Sequence, residues 1–447
     1  MNNTMDMTEG RVVKHLLLFS MPMLIGNIFQ QVYNIVDSII VGQVLGANAL
    51  AAVGATGSIT FFFFALCNGI GSGGGIITSQ YFGCHNYKGV RSCIANTGYI
   101  MVIFPFIVGG VSCFLARPLL IVMGTPDNIL DDAVLYTQVM CVGLLFVSVY
   151  NYVSSMLRAL GDSKSPLYFL IFSCLLNVGL DLLFVCGFHM GVFGAGLATI
   201  LAQLIGGIAC LYYAFKFNPY FKLTKEDLAF NKHISWETLR LGVPLSLQFS
   251  LIAISSMALQ KVVNSFGAIA VAAFTATSRI EQLVHQPYQT LSASLSTFSG
   301  QNYGAKKCDR VFVGYHKSII IMIIFTAIIV PCMQVFGDNI TGWFVSDADV
   351  IIMGKRALQI TSLFYIFLGM IYVVRGILNG VGDAFFAMFN GVIEVIGRFT
   401  VPILMTKYMG IGIWGIWWSV GVVWGISGIT AWGRYMTQRK KIIAIQR

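Results

Sequence analysis

The sequence predicts an all-α polytopic membrane protein of twelve transmembrane helices in two homologous six-helix lobes. Three observations lead there. Of 447 residues, 57% are hydrophobic and only 10% charged, with mean hydropathy +0.78, whereas soluble domains carry about 25% charged residues. Uncharged apolar segments of helical length recur along the chain, and none alternates like the strands of an outer-membrane barrel. Finally, GANALAAVGATGSI (46–59) aligns with GAIAVAAFTATSRI (267–280) at an offset of 221, with eight of the fourteen positions identical.

Taken in order, the spans fall near 15–44, 48–82, 89–116, 132–158, 165–187, 191–217, 236–265, 269–302, 310–337, 351–378, 384–408 and 411–436. Several exceed the roughly 20 residues that a bilayer requires, so tilt or protrusion is expected. The polar start, MNNTMDMTEGRVVKH, lacks the layout of a cleaved signal peptide, and the first span is expected to be retained. Span 1 carries Asn27, Gln30, Asn34 and Asp37 at steps of three, four and three, which places them along one face of a helix. In span 2 the run GIGSGGG (69–75) has no following Lys-Ser/Thr, so it reads as a close helix crossing, not a phosphate loop. Span 8 carries Glu281, His285, Gln289 and Ser292 as a polar stripe, with His285 open to a pH response. In span 11, Glu394 and Arg398 are four apart, the spacing of a helical ion pair.

The repeat extends beyond its best stretch. At the same offset Gln80 and Gly83 match Gln301 and Gly304, and Gly161-Asp162 match Gly382-Asp383, while Pro22 matches Pro244 at 222. The chain therefore divides into an N-lobe (1–217), a basic cytoplasmic linker (218–235) and a C-lobe (236–447). An even number of spans per half makes the repeats parallel, an organisation used by transporters that move two halves about a central site.

Orientation follows from Lys and Arg. With the N-terminus inside, 21 lie in inner segments and four in outer ones, so both termini are expected in the cytoplasm. The net charge of +10 is then topological, and no nucleic-acid partner is expected. Ten cysteines without a CxxC pair read as small buried hydrophobes. No Walker motif, catalytic triad or His-Glu-x-x-His motif is present, so neither an enzyme nor an ATP-driven pump is expected. No cofactor is expected either.

Depth brings three spans together. Asp37 lies seven residues from the outer end of span 1, Asp181 six from that of span 5, and Thr199 eight beyond the outer start of span 6. At 1.5 Å per residue all three sit roughly 9–12 Å below the outer surface. Asn177 shares a helical face with Asp181. Two carboxylates in one apolar layer cannot both stay ionised cheaply, so they should share a proton or a cation. The oxygen-rich set suits H⁺ or Na⁺. Asp37, Asn177, Asp181 and Thr199 would be metal ligands only if Na⁺ is the coupling ion. At the repeat offset, Asp37 falls opposite Leu259 or Ala258, Asn177 opposite Arg398 and Asp181 opposite Pro402. The coupling site is accordingly expected in the N-lobe alone.

Twelve spans in two halves, a proline in spans 1 and 7, QYFG and QNYG after spans 2 and 8, RALGDSKSP after span 4 and the later RGILNGVGD together resemble the multidrug and toxic compound extrusion (MATE) family. The resemblance covers essentially the whole chain. It implies an efflux antiporter that expels organic, often cationic, compounds in exchange for H⁺ or Na⁺ by alternating access. The acid pair with its Asn and Thr resembles the DinF-type branch, since spans 7 and 10 lack the acids of the NorM-type branch. The resemblance also links Pro22 to bending of span 1, which Gly26 would ease. Asn27, Gln30, Tyr33, Asn34, Glu281 and His285 are the expected cavity-lining residues, with aromatics and methionines such as Met257 as soft drug contacts. The expected partners are small-molecule drugs or toxic metabolites and the lipid bilayer, with the protein acting as a monomer in a bacterial inner membrane. The alternative is a lipid-linked oligosaccharide flippase of the same superfamily.

Overall fold

The computed structural model describes residues 3–446; the side chains at 47, 253, 257, 258 and 441–446, Met257 among them, lie outside that description. Among the described residues every regular element is helical. The first half comprises α1 (Val12–Leu45), α2 (Ala47–Gly83), α3 (Tyr87–Val122), α4 (Asp127–Ala159), α5 (Lys164–Asp181) and α6 (Gly191–Phe217). The second comprises α7 (Lys232–Asn264), α8 (Ala268–Gly304), α9 (Cys308–Gly342), α10 (Ala348–Ser362), α11 (Tyr365–Gly380), α12 (Ala384–Ile403) and α13 (Gly415–Gln446). Among the described residues ten helices are long and apolar enough to cross a membrane, and α10 with α11, bent by 52°, makes an eleventh span. Helix α8 has the length but is diluted by Arg279, Glu281, His285 and Gln289. It completes twelve.

The repeat is written into the backbone. Left-handed residues recur at 221: Gly46 and Gly267 (both φ 89°), His85 and Lys306 (57° and 58°), Gly161 and Gly382 (82° and 89°), and Gly191 and Gly412 (both 62°). Both fifth spans of the halves end in π-helical turns, Leu182–Gly187 after α5 and Leu404–Tyr408 after α12. Packing repeats as well. Helix α4 sits against α2, α3 and α6, as α11 sits against α8, α9 and α13, and α5 pairs with α6 as α12 pairs with α13.

Contacts divide the chain into Met1–Asp6 with Met21–Ser250, and Met7–Ser20 with Leu251–Arg447. These units differ from the sequence lobes in two places. The 218–235 segment and the start of α7 belong to the first unit, for a visible reason. Phe221 is fully buried with Val153, Met156, Leu157 and Cys210. The buried Asn96 accepts from Asn231 N (2.8 Å) and Ser235 Oγ (3.2 Å), and Asp227 accepts from Arg91 Nε at 2.8 Å. Helix α2 also crosses α7 through its glycine run: a Cβ on Gly69 would stand 2.2 Å from Ser246 N, and one on Gly73 2.5 Å from Gly242 N. The run is thus a close helix crossing.

The second difference is the N-terminal segment. Within the second unit, Met7 N donates to Gln301 Oε1 (2.8 Å) and Met7 O accepts from Asn302 Nδ2 (3.1 Å). Arg310 donates to the carbonyls of Met7, Glu9 and Gly10 at 3.0–3.1 Å. Within the first unit, Met5 N donates to Leu160 O, and a Cβ on Gly161 would stand 2.2 Å from Met5 O. The QNYG and RALGDSKSP signatures therefore bind the chain's own N-terminal residues. All ten cysteines are free thiols.

Two outcomes test these packing assignments. Gly69→Ala should lower the melting temperature in detergent, at a cost of about 1–3 kcal/mol, while Gly57→Ala, whose Cβ meets nothing within 4 Å, should be neutral or slightly stabilising. For Asp227, burial raises the carboxyl pKa, but the hydrogen bonds from Thr224 N, Thr224 Oγ1 and Arg91 outweigh it and hold the group below its ordinary value. Its contribution is then complete above the ordinary carboxylate pKa and is lost as pH falls through the depressed one. Asp227→Asn should cost about 1–3 kcal/mol near neutrality, and the gap between the two melting curves should narrow as pH falls through the depressed pKa.

Candidate functional site

Helix α1 has three faces in the first unit. Pro22 and Gly26 are buried, and Phe29 and Tyr33 pack against Tyr150, Leu170 and Cys174. Met21, Ile25, Ile28, Val32, Ile35 and Ile39 form an exposed apolar face. At roughly 100° per residue, the exposed Gln30 and Asn34 lie on a third, polar face well away from the apolar one. Asp37 sits between the polar and the packed faces and is half-buried. The sequence stripe is thereby split: Gln30 and Asn34 face outward from the unit, Asn27 is half-buried, and Asp37 turns toward α5. Tyr33, expected on the cavity, instead turns inward beside Thr199 and Asp37.

Asp181 closes α5 and is fully buried, immediately before the π-helical turn. Such turns insert one extra residue into the helical ladder and recur at functional positions. One turn earlier, Asn177 is also buried and its Nδ2 donates to Thr199 Oγ1 at 3.5 Å, the long end of the range. The Thr199 hydroxyl in turn donates to Ala195 O at 3.1 Å. Asp37 and Asp181 are close enough for one to donate to the other once protonated. Four buried acceptor atoms, Asp37 Oδ1, Asn177 Oδ1 and both carboxylate oxygens of Asp181, have no hydrogen-bond partner among the described residues.

That is an acceptor-rich centre. Each unsatisfied buried acceptor costs about 1–3 kcal/mol, and more if charged, so the cluster is destabilising unless a cation or proton fills it. The donors are all oxygen, which suits H⁺ or Na⁺ and disfavours a soft transition metal. Among the described residues no group of three or more His, Cys, Asp or Glu side chains is placed to hold a metal ion. The sequence missed Tyr136 of α4, buried beside both Asp37 and Asp181. Its signal was depth: it stands nine residues into α4 from Asp127, close to the layer of the acids.

The second unit does not copy this centre. Glu394 does not pair with Arg398, as their i, i+4 spacing suggested. It pairs with Arg375 of α11, whose Nε and Nη2 also reach Asn390 Oδ1 at 3.0 and 2.7 Å. Asn390 and Glu394 are one turn apart on α12, so a single planar guanidinium spans both, and buried charges require that degree of hydrogen bonding. Arg398 instead donates to Ser255 Oγ (3.2 Å) and Ser256 Oγ (3.4 Å) of α7. Glu281 and His285 are half-buried, with Oε1 and Nε2 turned into the bundle; their polar tips do not line an open face.

The MatE family model matches residues 22–183 and 244–401, two segments that begin at Pro22 and at its repeat partner Pro244. The chain belongs to the MatE family. A relative from Bacillus subtilis (strain 168), the probable multidrug resistance protein YpnP, is 31% identical over 98% of both chains. Another from the same organism, the probable multidrug resistance protein YoeA, is 25% identical over 98% of this chain and 96% of its own. The crystal structure of MATE in the bent conformation superposes with a TM-score of 0.92 at 22% identity, covering 98% of each chain. As a MatE protein, the chain carries the family's twelve-helix, two-lobe fold.

Two measurements probe the site and its neighbour. Saturating H⁺ or Na⁺ should raise the melting temperature of the wild type by linkage, equivalent to about 2.7 kcal/mol at a hundredfold excess over Kd, and Asp37→Asn or Asp181→Asn should markedly reduce that shift without unfolding the protein. Glu394→Gln, which strands Arg375 in the bundle, should cost about 3–5 kcal/mol and show as a large drop in melting temperature.

Proposed function

We propose that the protein is a secondary active multidrug efflux transporter that exchanges H⁺ or Na⁺ for organic, cationic amphiphilic compounds by alternating access of its two lobes. The observation that carries this is the position of Asp37, between the exposed polar face of α1 and the buried oxygens of Asp181 and Asn177. One helix thus presents Gln30 and Asn34 outward and couples them, through Asp37, to a centre that demands a cation. Family membership and the named multidrug resistance relatives support the same conclusion.

In this scheme Asp37 and Asp181 bind H⁺ or Na⁺ from outside. Neutralising the pair removes their mutual repulsion and lets α1 repack. Pro22 lacks a backbone N–H, which makes it the weakest point of an otherwise continuous helix. Gly26 leaves little slack, since a Cβ there would stand 3.1–3.2 Å from Leu170 and Leu167 of α5. A bend at Pro22 would therefore carry the α1–α5 contact with it. The cation's differential affinity for the two states supplies the driving force. The charge distribution supports cytoplasmic termini, and the bacterial relatives support a bacterial cell membrane. A flippase for a lipid-linked phosphate would want cationic side chains on its working face, whereas α1 offers amides and a carboxylate there.

The test is dye efflux from proteoliposomes with a pH gradient or a Na⁺ gradient imposed separately. Wild type should transport under one gradient or both. Asp37→Asn should lose gradient-driven efflux at least tenfold while remaining folded in the membrane. Undiminished efflux by that variant would sink the mechanism.

A further inference from the structure

The second unit holds polar groups that neither the fold nor the first-unit cation centre uses. Helix α8 sets Glu281 and His285 four residues apart on one face. They meet the break between α10 and α11, where the span bends by 52°. Thr361 and Tyr365 flank that break. Five side chains converge there with buried polar atoms that have no hydrogen-bond partner among the described residues: Glu281 Oε1, His285 Nε2, Thr361 Oγ1, Tyr365 OH and Arg398 Nε. Thr361 and Arg398 lie beside Glu281, and Arg398 also lies beside His285. Broken membrane helices with unpaired polar groups at the break are where transporters build their ion sites, and ionisable groups within spans are functional by default.

We propose that the second unit contains a proton site of its own, built from Glu281 and His285 of α8 against Thr361 and Tyr365, which accepts H⁺ and excludes metal cations. Among the described residues the charged and titratable groups facing it are few. Helix α12 contributes Arg398. Helix α11 contributes Tyr365 and Tyr372, and the α11–α12 pair Arg375–Glu394 is already mutually neutralised. Helix α10 offers Thr361, α7 offers Ser255 and Ser256 to Arg398, and α13 offers the Trp424 ring, 5.7 Å from that of His285. Helix α9 offers Thr326, through Tyr288.

This set distinguishes a proton from Na⁺. The Arg398 guanidinium repels a second cation, and Glu281 with His285 supplies too few ligands for a metal. A proton taken from water onto the Glu281 carboxylate meets the same repulsion, but it needs only the one oxygen it bonds and not a coordination shell. It converts an acceptor into a donor among groups that can accept: the His285 ring nitrogen and the Thr361 and Tyr365 hydroxyls. Glu281 and His285 are half-exposed as residues, and Gln289 one turn on is exposed. The use of this proton in transport rests on the antiport proposed above, whereas its binding does not.

Trp424 makes the site observable. The purified protein would be titrated in detergent by tryptophan emission between about pH 4 and pH 9, in an Asp37→Asn background that removes one carboxylate of the first-unit pair. A pH-dependent emission change should persist there, should vanish on adding either Glu281→Gln or His285→Asn, and should keep its midpoint when Na⁺ replaces a bulky organic cation at constant ionic strength. A flat titration in the Asp37→Asn background overturns the site, as does a transition that survives both added substitutions. A midpoint that moves with Na⁺ overturns the assignment to protons. If wild type shows the transition yet no dye efflux under any gradient, the antiport fails and the proton site stands.

Discussion

Two carboxylates without an internal counter-cation, held in an apolar helix bundle, set the terms for the first unit. Asp37 and Asp181 face each other, Asn177 adds a further unpaired oxygen, and Thr199 spends its proton on its own helix. Removing charged oxygens from water is expensive, and the cost falls only when a cation or a proton occupies the gap. The surrounding structure holds the acids in place without satisfying them. Tyr33 and Tyr136 crowd the pair, and the π-helical turn fixes where Asp181 points.

The two halves share a backbone and diverge in chemistry. Paired left-handed residues and paired π-helical turns persist at a spacing of about 221 residues. The side chains at equivalent positions do not: Asn177 corresponds to Arg398 and Asp181 to Pro402. The first half therefore concentrates acceptors in one layer. The second distributes charge between a closed network, Arg375 with Glu394 and Asn390, and an open one around Glu281 and His285. A duplicated scaffold conserves geometry cheaply because turns and helix crossings depend on backbone. Its ionisable groups are free to take different roles once each half no longer needs both.

The signatures that most resemble a family fingerprint turn out to be structural. QNYG supplies Gln301 and Asn302 to hold the backbone of Met7, and the turn after α4 receives Met5 so closely that Gly161 can carry no side chain. Along α1 the partnership changes immediately before Pro22: residues up to Ser20 pack with the second unit, and those from Met21 with the first. Pro22, one residue beyond that change, cannot complete the hydrogen-bond ladder, so the helix is weakest close to where its packing changes.

The sequence alone determined the twelve spans, their repeat and the three helices that carry the acid cluster, because hydropathy, periodicity and depth are properties of single helices and of their lengths. It also marked Asp37, Asn177, Asp181 and Thr199, since acids and amides stand out against an apolar background. Tertiary structure alone decided which of their atoms lack partners, and it added Tyr136, an ordinary core aromatic in sequence. It likewise moved Tyr33 from the cavity to the core, gave Glu394 to Arg375 instead of Arg398, and turned Glu281 and His285 inward. Those outcomes depend on helix rotation and on which neighbouring helix supplies the better hydrogen bond. Spacing along one helix lists the residues that share a face, but the partner across the bundle decides which of them is paired and which is left open to bind.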